Sequence, residues 1–164
     1  MEHVTNWIEQ EAINAKHFVT LNFSFDVSRQ QMEKAARAFH NRVSQVIAGN
    51  DARKGKYRHQ MVIICERQPI SQRWHLHILM DGVPAQYQER VKIRGYGLRS
   101  ICAKAWDSMV GTGKTRKVGG ASVSVDNGIP TFHYEWFKPI SDLSKLAAYV
   151  SKTHDREGSD FIVI

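Results

Sequence analysis

The sequence predicts an α+β fold in which an antiparallel sheet of about five strands is flanked by helices. Two observations carry that class. Stretches rich in β-branched and aromatic residues, HFVTLNFSF (17–25), MVIICE (61–66) and RWHLHILMD (73–81), read as strands, and the short polar connection between the last two suits a hairpin. Around them lie longer stretches whose apolar residues recur at helical spacing.

In chain order, the first ~15 residues form a helix with Val4, Trp7, Ile8 and Ile13 as its apolar set. The strand at 17–25 follows. Ser28 opens the next helix with a capping-box partner at Gln31, and Val27 with Met32 suits a hydrophobic staple. Met32, Ala35, Ala36, Phe39, Val43, Val46 and Ile47 give that helix its buried stripe, and Gly49-Asn50 ends it. A basic loop with Arg53, Lys54, Lys56 and Arg58 leads into strands 61–66 and 73–81. Residues 85–109 read as one long helix, irregular around Gly95 and Gly97. Residues 116–125 and 130–137 alternate around Asp126-Asn127-Gly128, a hairpin signal. A final helix runs from near Ser141 to about His154, and FIVI at the end suits a last strand. The order α-β-α-β-β-α-β-β-α has a ferredoxin-like flavour, with helices expected on one face of the sheet.

At 164 residues the chain has the size of one domain, 1–164, able to bury a core without disulfides. Cys65 and Cys102 form no framework and match no zinc spacing, so both read as reduced packing residues. No apolar run approaches the ~20 residues of a membrane span. The N-terminal MEHVTNWIEQ has neither the basic start nor the apolar stretch of a secretory signal, so an intracellular protein is expected. The formal charge of +7 favours an anionic partner, of which nucleic acid is the commonest.

Two features point to chemistry. In WHLHILMD, alternation sends Trp74, Leu76, Ile78 and Met80 to one face and His75, His77 and Asp81 to the other. Two imidazoles two residues apart on a strand can share one metal ion. Glu66 would supply a third ligand if 61–66 and 74–79 pair as a hairpin. Two imidazoles and a carboxylate leave coordination positions open, and the set accepts Mn²⁺, Mg²⁺ or zinc. The second feature is Tyr149, at the edge of the apolar stripe Leu143, Leu146, Ala147 and Val150, with Lys145, Lys152 and Arg156 on the adjacent face. A phenol beside cations can attack phosphorus while the cations hold the phosphate. Read alone, it is more readily an ordinary tyrosine at a core margin.

Together these features resemble the HUH endonuclease superfamily, specifically its single-tyrosine rolling-circle replication initiators. FVTLNF (18–23) is similar to the family's first motif, HLH (75–77) to its histidine-hydrophobic-histidine motif, and YVSK (149–152) to its tyrosine-x-x-lysine motif, in family order. The resemblance implies a ferredoxin- or RRM-like nuclease core and Mg²⁺ or Mn²⁺ held by Glu66, His75 and His77. It implies a cut in single-stranded origin DNA by Tyr149, with a 5′-phosphotyrosine link and a free 3′-hydroxyl, while Lys152 positions the phosphate. It further implies a cytoplasmic protein of a plasmid or phage (nuclear for a eukaryotic virus), acting as a monomer or weak dimer. The helicase domain of larger relatives is absent from these residues, so either a host helicase is recruited or the chain is a fragment of a longer protein. Candidate DNA-contacting cations are Arg53, Lys54, Lys56, Arg58, Lys114, Arg116, Lys117, Lys145 and Arg156. The alternatives are an insertion-sequence transposase of the same superfamily, whose late helix commonly carries glutamine where this chain has Thr153, and a non-catalytic origin-binding module. GTGKT (111–115) lacks the first glycine of a phosphate-binding loop and precedes a strand pattern, so no ATPase is expected.

Overall fold

The computed structural model describes residues 2–23, 26–67, 73–95, 97–110, 136–154 and 160–163. The elements are α1 (Glu2–Glu11), β1 (Ala15–Asn22), α2 (Arg29–Ala48), α3 (Asn50–Arg53), β2 (Met61–Arg67), β3 (Trp74–Asp81), α4 (Ala85–Ile93), α5 (Leu98–Val110), β4 (Phe137–Pro139), α6 (Leu143–His154) and β5 (Asp160–Val163). The strands form one antiparallel sheet in the order β4-β1-β3-β2-β5. The α+β class and the antiparallel sheet are as the sequence predicts, and the chain-end strand is present as β5. No helix among the described residues is long and apolar enough to cross a membrane.

Helices cover both faces of the sheet, not one. On the first face Val19, Leu21, Met61, Ile63, Leu76, Ile78 and Met80 pack against α2 and α5. On the second, Phe18, Val62, Ile64 and Leu79 pack against Ile8 and Ala12 of α1 and Ala147 and Val150 of α6. The cause is the unbroken run Met61–Cys65, which presents apolar side chains in both directions and so needs cover twice. The α1 and α6 helices are joined by a hydrogen bond from Thr5 Oγ1 to Ser151 Oγ at 3.0 Å.

Local chemistry sets the element ends. Ser28 and Gln31 make the full capping box of α2, with Gln31 N donating to Ser28 Oγ at 3.1 Å and Ser28 N to Gln31 Oε1 at 2.9 Å. Such a cap stabilises by about 1 kcal/mol. Gly49 ends α2, but Asn50 starts the single turn of α3, so Arg53 sits on a helix and only Lys54, Lys56 and Arg58 on the basic loop. The expected helix over 85–109 is two helices, broken by Gly95 at φ +69°, where a side chain would be strained. The last helix begins at Leu143, because Asp142 caps it by accepting from Lys145 N at 3.0 Å. The expected hairpin at 116–137 falls outside the described residues but for its last two, and strand β4 begins where that expectation stopped. Cys65 and Cys102 are buried free thiols, as expected.

A buried polar network ties the entry to β2 onto α2 and the end of β3. His59 Nε2 donates to Asp81 O at 2.9 Å, which leaves Nδ1 to accept from Tyr57 Oη at 2.7 Å. His59 N donates to Ser44 Oγ, and His40 Nε2 donates to His59 O at 2.8 Å. Burial keeps the His59 imidazole neutral down to about pH 4, against an ordinary 6.5. Because the folded value lies below the unfolded one, this group's contribution is complete above pH 6.5. It is lost as pH falls from there toward 4, at up to about 1.4 kcal/mol per pH unit. His59→Gln is therefore expected to flatten the decline of unfolding free energy between those limits in denaturant titrations. Equal slopes in both proteins would contradict it.

Candidate metal centre and adjoining cavity

Register brings the three expected ligands together. On β3, His75 lies opposite Glu66 of β2 and Asn22 of β1, and His77 lies opposite Ile64 and Thr20. Alternation then puts Glu66, His75, His77 and Thr20 on the second face, beyond the apolar patch that α1 and α6 cover. All four side chains are buried.

Three ligand atoms form a small triangle. His75 Nε2 is 2.9 Å from Glu66 Oε2 and 3.0 Å from His77 Nε2, and His77 Nε2 is 3.3 Å from the same carboxylate oxygen. Metal–nitrogen and metal–oxygen bonds of about 2.1 Å place adjacent ligands on one ion about 3 Å apart, and the triangle matches that separation. Its chemistry fits as well. Three lone-pair-bearing atoms this close repel one another unless a proton or a cation lies among them. Among the described residues this is the one cluster of three or more histidine, cysteine or acidic side chains so placed, and it could hold a metal ion.

Protonation states suit that role. Burial alone would raise the Glu66 carboxyl, but the hydrogen bonds it shares with His75 and His77, and their charges, outweigh burial and hold it down at about 2. Glu66 is thus a carboxylate at any working pH. Burial lowers His77, and the charges of His75 and Lys138 lower it further against the raising effect of Glu66, so its imidazole is neutral near pH 7. Thr20 Oγ1 lies 3.1 Å from His77 Nδ1, so Nδ1–H can donate to the hydroxyl while Nε2 keeps its lone pair for a metal. Phe18 stacks on His77 with ring centroids 5.3 Å apart and fixes the ring plane. Thr20→Val should keep the fold but weaken Mn²⁺ binding about tenfold, as loss of a ligand-orienting partner does. A titration with unchanged affinity would leave Thr20 no part in the centre.

Comparison of the chain with protein-family models, with characterised proteins and with solved structures finds no match. The chemistry must therefore be read from the side chains.

A cavity of about 390 Å³ links His77 and Thr20 at its inner end to Lys138, Lys145 and Tyr149 at its rim. Tyr149 is 58% exposed. The two other described tyrosines are committed on the opposite face: Tyr57 to His59, and Tyr87 to Asp51 at 3.0 Å. Lys145 N and Nζ both engage Asp142, the latter at 3.6 Å, while its side chain still lines the cavity. Lys152 is exposed and is not part of the described cavity lining.

The remaining basic residues separate. Arg53 lies on α3, over the other face of the sheet; Lys54 and Lys56 are exposed on the loop after it. Arg58 reaches Asn41 Oδ1 at 3.5 Å. Lys114, Arg116, Lys117 and Arg156 lie outside the described residues. Sequence reasoning missed Lys138, whose Nζ sits 5.5 Å from the Phe18 ring and whose charge reaches His77. It is on β4, past the end of the expected strand, and only the pairing of β4 with β1 brings it to the site.

Proposed function

We propose that the protein is a metal-dependent endonuclease and strand transferase for single-stranded DNA, of the HUH type, that starts rolling-circle replication through Tyr149. The observation that carries the reading is the cavity shared by His77 of the buried triad and the exposed Tyr149. Motif order along the chain adds to it, as does the formal charge of +7.

A divalent ion on Glu66, His75 and His77, Mg²⁺ or Mn²⁺ by the resemblance, would supply Lewis-acid polarisation of a phosphate oxygen. The chain's own residues do the rest. Lys138, with Lys145 beside its partner Asp142, leaves net positive charge along the cavity, which attracts the strand and offsets charge developing on the phosphate. Tyr149 Oη forms a bond to phosphorus as the bond to the 3′-oxygen breaks. The phenol proton leaves to solvent or a base, and the 3′-oxygen takes up a proton. The phosphoester count is unchanged, so rejoining is the same step reversed and needs no nucleoside triphosphate.

The test is incubation of the full chain with labelled single-stranded origin DNA and Mn²⁺, followed by a denaturing protein gel. A labelled protein band that chelator prevents supports the reading. Binding of the same DNA without cleavage or adduct would favour an origin-binding module instead.

A further inference from the structure

Across the sheet from the triad, α2, α3, α4 and α5 enclose a second cavity of about 540 Å³. Arg42, Arg53, Arg90, Arg94 and Lys104 line it, and Asp51 is the one carboxylate in the described lining. Asp51 already accepts the Tyr87 hydroxyl at 3.0 Å. None of the four arginines forms an ion pair among the described residues. Like charges gathered on one concave surface repel, and a bound anion relieves that repulsion.

The cavity is also built around one of its cations. Gly49 has φ +57°, and a Cβ on it would lie 2.6 Å from Arg90 Nη2 and 2.8 Å from Arg90 Cζ. The guanidinium therefore occupies space that only glycine leaves free. Its Nε is buried without a hydrogen-bond partner among the described residues. Arginine's planar fork suits phosphate oxygens, and a fork held in place loses little freedom on binding them. The volume exceeds what a lone phosphate fills and lies within the range of small-molecule sites, about 300–1,000 Å³. Val46, Ile101 and Ala105 add an apolar wall, and Tyr87 an aromatic one.

From charge, arginine geometry, size and wall together, we infer that this cavity binds a nucleotide, with its phosphates on the arginines and its base or sugar against the wall. The nucleotide is either a free nucleoside triphosphate or a residue within a DNA strand; both offer the same phosphate chemistry. The site is separate from the metal centre and does not depend on the cleavage reading.

Calorimetric titration of the full chain, with chelator present to silence the triad, distinguishes the sources. ATP probes the first and a short oligothymidylate the second, at physiological ionic strength. One probe is expected to bind at one per chain and to weaken at least about tenfold in Arg90→Lys, where the fork is lost. Arg94→Ala, at an exposed position that cannot disturb the core, should weaken the same probe. Loss confined to ATP identifies a free nucleotide, and loss confined to the oligothymidylate identifies a strand. If neither probe binds, or if binding survives both arginine substitutions, the inference is overturned.

Discussion

Tyr149→Phe is expected to reduce nicking and the covalent adduct by at least about 10³-fold, since removal of a nucleophile leaves only the catalysis that positioning and charge provide. The substitution deletes one oxygen from a side chain that is 58% exposed, so stability should change by less than about 0.5 kcal/mol. Melting temperature and strand affinity should stay close to wild type. That combination separates loss of a nucleophile from loss of a fold. The two other described tyrosines donate to His59 and Asp51 on the opposite face, away from the cavity that Tyr149 lines. An adduct that persists in Tyr149→Phe would remove Tyr149 from the mechanism, and mapping the linked peptide would show what replaces it.

The second large effect is expected at the triad. Ligand-orienting partners are worth about 10–100-fold in metal affinity, so a ligand itself should be worth at least about 100-fold. Glu66→Ala and His77→Ala should each weaken Mn²⁺ binding by that much and abolish metal-dependent cleavage. Glu66→Ala should also destabilise the metal-free protein, because it removes the buried carboxylate hydrogen-bonded to His75 and lying 3.3 Å from His77 Nε2. The discriminating readout is the rise in melting temperature on adding metal, present in wild type and absent in the variants. A fall in melting temperature with that rise intact would make Glu66 a structural residue.

Much of this centre was legible in the sequence because strand alternation is a strict two-residue period. WHLHILMD fixes which side chains share a face, and a carboxylate ending the neighbouring strand follows from a hairpin register that the structure bears out as Glu66 opposite His75. The α2 boundary was legible for a similar reason, since a capping box is local chemistry. Two-sided cover of the sheet was also written in the sequence, in the unbroken run Met61–Cys65, but the alternation of WHLHILMD suggested a single covered face. Gly95 hinted at a break, yet only its left-handed backbone shows that α4 and α5 are separate helices. What no local pattern could give was pairing between distant segments. Lys138 reaches the site because β4 pairs with β1, about 120 residues earlier in the chain, and the arginine cavity exists because four helices meet there. FVTLNF is legible as a strand, but that its Thr20 faces His77 needs β1 beside β3.

The metal centre underlies every step proposed for Tyr149. Its most direct test is titration of the metal-free full chain with Mn²⁺, followed by pulsed electron paramagnetic resonance of the bound ion. One ion per chain, coupled to imidazole nitrogen and lost from a His75→Ala/His77→Ala variant, is the predicted result. A chain that binds no ion, or an ion whose spectrum and affinity survive loss of both histidines, would contradict it.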